Sequence, residues 1–142
     1  MKKMLMIYPN NFLQGAMGTN NRVMQLVQIF REIGFEIDYF GFENFSPNSS
    51  FRDFKQKNKE KKLIHKLFLY DFQKGYGGNQ LVERVYNKIR SMQKKDYLQD
   101  WVPPGAHRMF TDLIRHNHYD VVITFYTYLA AFFKNRKIYA KK

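Results

Sequence analysis

Cysteine is absent from this sequence. Without it the chain can have neither a disulfide scaffold nor a thiolate for catalysis or metal binding, and it suits a reducing compartment such as the cytosol. Long apolar runs are also missing: none approaches the ~20 residues of a membrane span, and the few apolar residues between Lys3 and Pro9 are too short for a signal peptide. We therefore expect a cytoplasmic protein.

Acidic residues are scarce, since 12 Asp and Glu stand against 24 Lys and Arg and leave a net charge of +12. Such a surface attracts phosphates, anionic lipid headgroups or acidic glycans. Aromatic residues are abundant, with 14 Phe and 10 Tyr, and 44% of the 142 residues are hydrophobic. This length and composition predict one folded domain.

The first forty residues have the pattern of a strand, a helix and a second strand. Lys3 to Tyr8 (KMLMIY) is mostly apolar and leads into a glycine-containing loop, Pro9 to Asn20. Apolar residues then recur at helical spacing from Asn21 to Ile33, Gly34 supplies the stop, and Phe35 to Phe42 alternates as a strand does. A unit this compact predicts a parallel sheet.

The segment from Glu43 to Gly78 differs in composition, and we interpret it as a basic insertion (residues 43–78) within the domain. It contains a lysine-rich run from Lys55 to Lys62. Helical spacing beyond this run predicts a short basic amphipathic helix with the apolar residues Leu63, Ile64, Leu67 and Phe68. The lysines that such a helix would turn toward an anionic membrane surface are Lys61, Lys62 and Lys66.

The second half of the chain has further helix and strand patterns. Helical spacing recurs from Leu81 to Met92 and, after a proline pair suited to a helix start, from Met109 to Ile114. Tyr119 to Phe125 is almost continuously apolar and predicts a strand covered on both faces, the most central one after the first. We expect a short helix from Leu129 to Phe133 and the beginning of another strand from Lys137 to Ala140.

Two stretches together carry a family resemblance: KMLMIYPNNFLQGAMGTNNRVMQLVQIFREIGFEIDYF and, after the insertion, HYDVVITFYTYLAAFFK. Their order resembles the amino-terminal domain of GT-B-fold glycosyltransferases of the family 4 type. The resemblance spans nearly the whole chain. It implies an α/β, Rossmann-like three-layer domain over residues 1–142, with a mostly parallel sheet and a helical insertion.

The resemblance also implies a function. In that family a carboxyl-terminal domain holds the nucleotide-sugar donor, and the amino-terminal domain faces the acceptor. We therefore expect a truncated, acceptor-side half of an enzyme that moves a sugar from a nucleotide-sugar donor to a glycan or lipid acceptor, with no catalytic residue of its own and no activity alone. The acceptor-binding candidates are Gly15, Gly18, Thr19, Asn20 and Arg22 of the first loop and helix, with Tyr126 and Thr127 after the apolar strand.

The sequence gives less support to a nucleotide-binding site or a metal site. The spacing of Gly15 and Gly18 does not match the dinucleotide fingerprint and no Walker A sequence is present, so we expect no NAD, no ATP and no other cofactor. His116 and His118 lack the further ligands of a tetrahedral site, so we expect no metal. The strand carboxylates are expected to be structural: Glu36, Asp38 and Asp120.

A hypothesis from another class stays open. The surface from Lys55 to Arg90 could make the chain a small basic binding module for nucleic acid or for an anionic membrane surface. Nucleic acid is the weaker of these two partners, because the aromatic residues lie mostly at core spacing and form no known RNA-binding pattern. Membrane binding would place the protein peripherally on the inner face of the membrane.

Overall fold

The computed structural model describes residues 1–14, 18–45, 50–77, 80–92 and 102–133. Within these ranges the strands are β1 (Lys2–Ile7), β2 (Phe35–Glu43), β3 (Lys66–Asp71) and β4 (Val121–Thr124). The α-helices are α1 (Gly18–Glu32), α2 (Phe54–Lys61), α3 (Gln80–Met92) and α4 (Pro104–His116). Two 3-10 helices, Phe12–Gln14 and Thr127–Phe133, follow β1 and β4 respectively.

The described strands form one parallel sheet in the order β3-β2-β1-β4. Met4 of β1 lies opposite Ile37 of β2 on one side and Val121 of β4 on the other. The chain therefore builds the sheet outward from β1 through β2 and β3, and then returns to place β4 on the opposite side of β1. This parallel sheet with intervening helices confirms the predicted α/β, Rossmann-like fold.

Side-chain alternation along β1 divides the core into two layers. Met4 and Met6 face the side covered by α1 and α2, whereas Leu5 and Ile7 face the side covered by α4 and the final 3-10 helix. A strand segment buried on both faces has no polar side, which explains why β1 is continuously apolar from Met4 to Ile7. The helices contribute the core residues Val23, Val27 and Phe54 on the first side, and Ala106, Phe110, Leu113, Leu129 and Phe132 on the second.

The predicted amphipathic helix around Leu63 to Phe68 is wrong. Helix α2 ends at Lys61, and Lys62 takes a left-handed conformation that stops it. The side chain of Asn58 then holds the turn, donating to the Ile64 carbonyl at 2.7 Å and accepting from the Ile64 amide at 2.8 Å. The chain continues into β3, so the segment interpreted as an insertion contributes a strand to the sheet.

The strand predicted to be the most central after the first has a different position. Among the described strands β4 lies at the edge of the sheet, paired with β1, and its four residues are all half-buried. An apolar run is typical of a strand covered on both faces, but it does not determine the position of that strand in the sheet. The strand predicted from Lys137 to Ala140 lies outside the described residues.

A close approach in β2 leads to a prediction about stability. A Cβ added to Gly41 would lie 2.7 Å from Cζ of Phe51 and 3.1 Å from Cδ2 of Leu69. We expect Gly41→Ala to lower the free energy of unfolding by about 2 kcal/mol in urea titrations, because these neighbours must move. Gly18→Ala is the control, since a Cβ there meets no atom within 4 Å; equal loss in both variants would contradict the packing.

Candidate functional site

The candidate site lies at the carboxyl ends of β1 and β4, where the direction of strand order reverses. After β1 the chain enters α1 on one side of the sheet, and after β4 it enters the 3-10 helix that packs on the other side. Two neighbouring strands whose connections leave on opposite sides form a topological switch point at this edge, which is called the crevice below. In open parallel sheets, ligands bind at such a point.

Buried hydrogen bonds fix the loop that follows β1. Tyr39 of β2 is fully buried, and its hydroxyl contacts the carbonyl oxygens of Tyr8, at 2.9 Å, and Asn10. Asn11 is also fully buried: its side-chain oxygen accepts from the Leu13 amide at 3.0 Å, and its amide donates to the Ser50 carbonyl at 2.9 Å. Unpaired buried carbonyls are costly, so these side chains hold the loop in one conformation.

Tyr8 connects the two sides of the crevice. Its hydroxyl donates to Oδ1 of Asn20 on α1 at 2.7 Å, and its ring stacks on that of Tyr126 after β4, with centroids 5.7 Å apart and planes at 21°. The Asn20 amide also donates to the Asn11 carbonyl at 3.4 Å. Asn20, predicted to bind a ligand, is therefore buried and uses its side chain inside the fold.

The start of α1 is open to solvent. The helix begins at Gly18, three residues earlier than the sequence predicted, so Gly18 and Thr19 belong to its exposed first turn. The first backbone N–H groups of a helix have no acceptor within it and lie at its positive end. Arg22, one turn later, is exposed on the same face of the helix as Gly18.

The remaining predicted site residues are Tyr126, Thr127 and Gly15. Tyr126 is half-buried at the crevice. Thr127 begins the final 3-10 helix, but its side chain lies outside the described part of the structure. The whole of Gly15 lies outside the described residues. The structure therefore brings the first turn of α1 and Tyr126 to the same edge of the sheet, with Tyr8 between them.

Among the described residues, this edge presents groups that suit the binding of a ligand. Backbone N–H groups and the Arg22 guanidinium suit phosphate or hydroxyl oxygens. The carboxylates that end β2 and β3 already have partners. Glu43 accepts from the backbone N–H of Phe51 at 3.1 Å, and Asp71 accepts from the side-chain amide of Asn44 at 2.9 Å. These two carboxylates stabilise the loops that follow β2 and β3.

The strand carboxylates predicted to be structural lie at the opposite edge of the sheet. Asp38 is buried and accepts from the Tyr119 hydroxyl at 2.8 Å, with His65 Nδ1 at 3.1 Å. Asp120 accepts from the backbone amide of Lys3 at 2.8 Å, and the Lys3 side chain pairs with Glu36 at 3.3 Å. These contacts join β1, β2, β3 and the start of β4.

His116 and His118 do not converge on one ion. His116 Nδ1 lies 2.7 Å from the Asp112 carbonyl, and His118 lies 4.0 Å from Asp120. Within the described ranges no three His, Asp or Glu side chains are placed to hold a metal.

The lysines predicted to face a membrane are exposed but lack the apolar companions that the prediction required. Lys61 ends α2, Lys62 forms its cap and Lys66 begins β3. Leu63 and Ile64, expected on the membrane face of a helix, are instead buried in the core. Over the described part of the chain, no helix combines the length and the apolar character needed to cross a bilayer.

Sequence reasoning missed the residues that shape the crevice: Tyr8, Asn11 and Tyr39. The sequence pattern presents Tyr8 only as the end of an apolar strand, although a hydroxyl at that position must find a partner when the ring is buried. The polar run Asn10-Asn11 between apolar segments is the other available signal, because asparagine often bonds to nearby backbone in turns.

The buried tyrosines predict a loss of stability in alkaline solution. Burial raises the pKa of Tyr8 to about 12, and burial raises the pKa of Tyr39 as well. An unfolded tyrosine ionises near pH 10. The contribution of the buried, neutral tyrosines to the free energy of unfolding is therefore fully present below pH 10 and is lost as the pH rises through 12. We expect the free energy of unfolding, measured by urea titration, to fall less steeply between pH 10 and 12 in Tyr8→Phe than in the unchanged chain, by up to about 1.4 kcal/mol per pH unit. An equal slope in the two proteins would contradict this prediction.

Comparisons with known proteins identify no relative. No family model matches the sequence, and no match was found among curated proteins or solved structures. The geometry at the carboxyl edge of the sheet, together with the sequence resemblance, is therefore the basis for a functional hypothesis.

Proposed function

We propose that this chain is the amino-terminal, acceptor-binding domain of a GT-B, family 4-type glycosyltransferase. The complete enzyme would move a sugar from a nucleotide-sugar donor to a glycan or lipid acceptor at the cytoplasmic face of the membrane. The observation that most supports the proposal is the crevice between β1 and β4, with the open first turn of α1 on one side and Tyr126 on the other. The sequence resemblance supplies the enzyme class.

The site residues take two kinds of role in this proposal. The backbone N–H of Gly18, the hydroxyl of Thr19 and the guanidinium of Arg22 contact the acceptor. Tyr126, whose ring already stacks on that of Tyr8, contacts the apolar side of a sugar with the exposed part of its side chain. Asn20 and Tyr8 are positioning residues, because their hydrogen bond holds the first turn of α1 against the exit of β1.

The donor belongs to a second domain in this proposal. The β1–α1 connection lacks the glycine pattern that lets a backbone approach a pyrophosphate. The resemblance assigns nucleotide-sugar binding and the completion of the active site to a carboxyl-terminal domain. The chain on its own should bind acceptors without transferring sugar to them.

The proposal predicts a ligand preference. The probes are methyl glycosides of common hexoses and N-acetylhexosamines, a polyprenyl phosphate in detergent, UDP-glucose and GDP-mannose. In calorimetric titrations of the chain, we expect at least one of the acceptor-type probes to bind and to bind more tightly than both nucleotide sugars. Tighter binding of a nucleotide sugar than of every acceptor-type probe, or no binding of any acceptor-type probe, would contradict the proposal.

Gly18→Val tests the place of binding. A Cβ at Gly18 projects into open space, so the variant should fold normally yet obstruct a ligand over the first turn of α1. We expect at least a tenfold loss of affinity for the acceptor that binds best. Gln25→Val is the control, since Gln25 is exposed on the same helix two turns further on; similar losses in both variants would contradict a site at Gly18.

Arg22→Gln tests the charge at this site, with a phosphate-bearing acceptor as the ligand. Charge-assisted hydrogen bonds contribute about 1.5–3 kcal/mol, so affinity should fall roughly tenfold or more. Arg31→Gln removes the same charge from the opposite end of α1, where Arg31 donates to the Phe35 carbonyl at 3.3 Å. That control should retain affinity within about twofold. An equal effect of both variants would reduce the role of Arg22 to general attraction.

A further inference from the structure

Helix α3 packs against the domain with its polar side. Glu83 is buried, and Asn87, one turn later, donates to the Tyr70 hydroxyl at 3.0 Å and to the Phe72 carbonyl at 3.4 Å. The apolar residues of the same helix face outward. This is the reverse of the usual arrangement, in which a helix buries its apolar stripe.

A specific network around Glu83 fixes this orientation. One carboxylate oxygen accepts from the Tyr70 hydroxyl at 2.7 Å, and the other accepts from the Tyr76 amide at 3.2 Å and from Arg108 of α4 at 2.9 Å. Gly105 of α4 gives the carboxylate its space, because a Cβ there would overlap Oε1 of Glu83. A half-turn roll of α3 would break every one of these bonds and leave Arg108 without its carboxylate.

The outward face of α3 is a continuous apolar stripe two to three turns long. Its residues recur at spacings of three and four, which place them on one side of a helix. The exposed fractions are 68% for Leu81, 61% for Val82, 51% for Val85, 45% for Tyr86 and 52% for Ile89. Contiguous exposed apolar surface of this kind marks a binding surface, whereas isolated apolar residues do not.

The charges beside this stripe favour an anionic partner. The exposed side chains of Arg84 and Lys88 lie on the same helix, whose sole acidic residue, Glu83, faces inward. The chain as a whole carries +12. We propose that α3 docks on an anionic lipid bilayer, with the apolar stripe at the headgroup boundary and the basic residues among the headgroups. This inference does not rest on the proposed sugar-acceptor function.

Association with a second copy fits the charges less well. Pairing two α3 helices face to face would bring Arg84 and Lys88 toward the same residues of the other copy, and each chain adds its own +12. An anionic bilayer complements both features of this helix. Its apolar boundary suits the apolar stripe, and its fixed negative charge suits the basic residues. At 13 residues, α3 extends about 20 Å and suits an orientation parallel to the surface.

Vesicle sedimentation of the full chain tests the apolar contact. With vesicles of phosphatidylcholine and phosphatidylglycerol, we expect Ile89→Asn to lower the partition coefficient about tenfold relative to the unchanged chain. Ile29→Asn is the matched control, because Ile29 is 50% exposed on α1 and Ile89 is 52% exposed on α3. Both substitutions are at the surface, and thermal unfolding checks that both variants remain folded. Equal losses would overturn the assignment to α3.

A pair of charge variants tests the electrostatic contact. Arg84→Gln with Lys88→Gln should weaken binding roughly fivefold for each charge removed at low salt. Lys55→Gln with Lys59→Gln removes two exposed charges at the same spacing from α2 and should have a clearly smaller effect. Equal effects of the two pairs would mean that net charge alone attracts the chain, and would overturn the proposal.

Two further results would also overturn it. The first is an absence of binding to the anionic vesicles at low salt. The second is concentration-dependent association of the chain in analytical ultracentrifugation that Ile89→Asn abolishes while vesicle binding is unchanged, since α3 would then be an interface between copies. Binding to phosphatidylcholine vesicles alone that equals binding to the anionic ones would contradict the role assigned to Arg84 and Lys88.

Discussion

The hydroxyl of Tyr39 is the group on which the carboxyl edge of this sheet depends. It lies inside the domain on β2 and contacts carbonyl oxygens of the chain leaving β1. Tyr8 is held there, and Tyr8 in turn binds Asn20 of α1 and stacks on Tyr126 after β4. Because these contacts are formed within the protein, they fix the position of the first turn of α1, and such preorganisation would lower the entropic cost of binding the proposed ligand.

A second buried polar group has a comparable effect elsewhere in the fold. Glu83 joins α3 to β3, α4 and the loop containing Tyr76, and it determines which side of α3 meets solvent. Buried charged networks of this kind contribute little net stability compared with apolar packing, but they can select one arrangement over another. In this domain, Tyr39 orients a loop and Glu83 orients a helix, and each orientation determines which groups are exposed at the surface.

The sequence predicted the elements better than it predicted their contacts. Apolar runs and periodicity located β1, β2, α1 and α3 to within three residues at each end, since burial on one or both faces imposes a spacing. For α4 the spacing marked only the second half of the helix, and the proline pair marked its start. The four apolar residues from Leu63 to Phe68 were misassigned to a helix, because their spacing also fits a turn followed by a strand. For α3, periodicity showed which face is apolar, but the outward direction of that face depends on Glu83 and Gly105, which are 22 residues apart in sequence. Such long-range pairings leave no local pattern, and the same limit applies to Asn20, whose partner is Tyr8.

The central claim is that ligands bind between β1 and β4. The most direct measurement is a map of backbone amide shifts in ¹⁵N–¹H NMR spectra of the chain during titration with the acceptor-type probes. We predict that the largest shifts occur at the amides of Gly18, Thr19 and Tyr126, with smaller changes at Tyr8. Shifts concentrated at the opposite edge of the sheet, around His65 and Asp120, would contradict the claim.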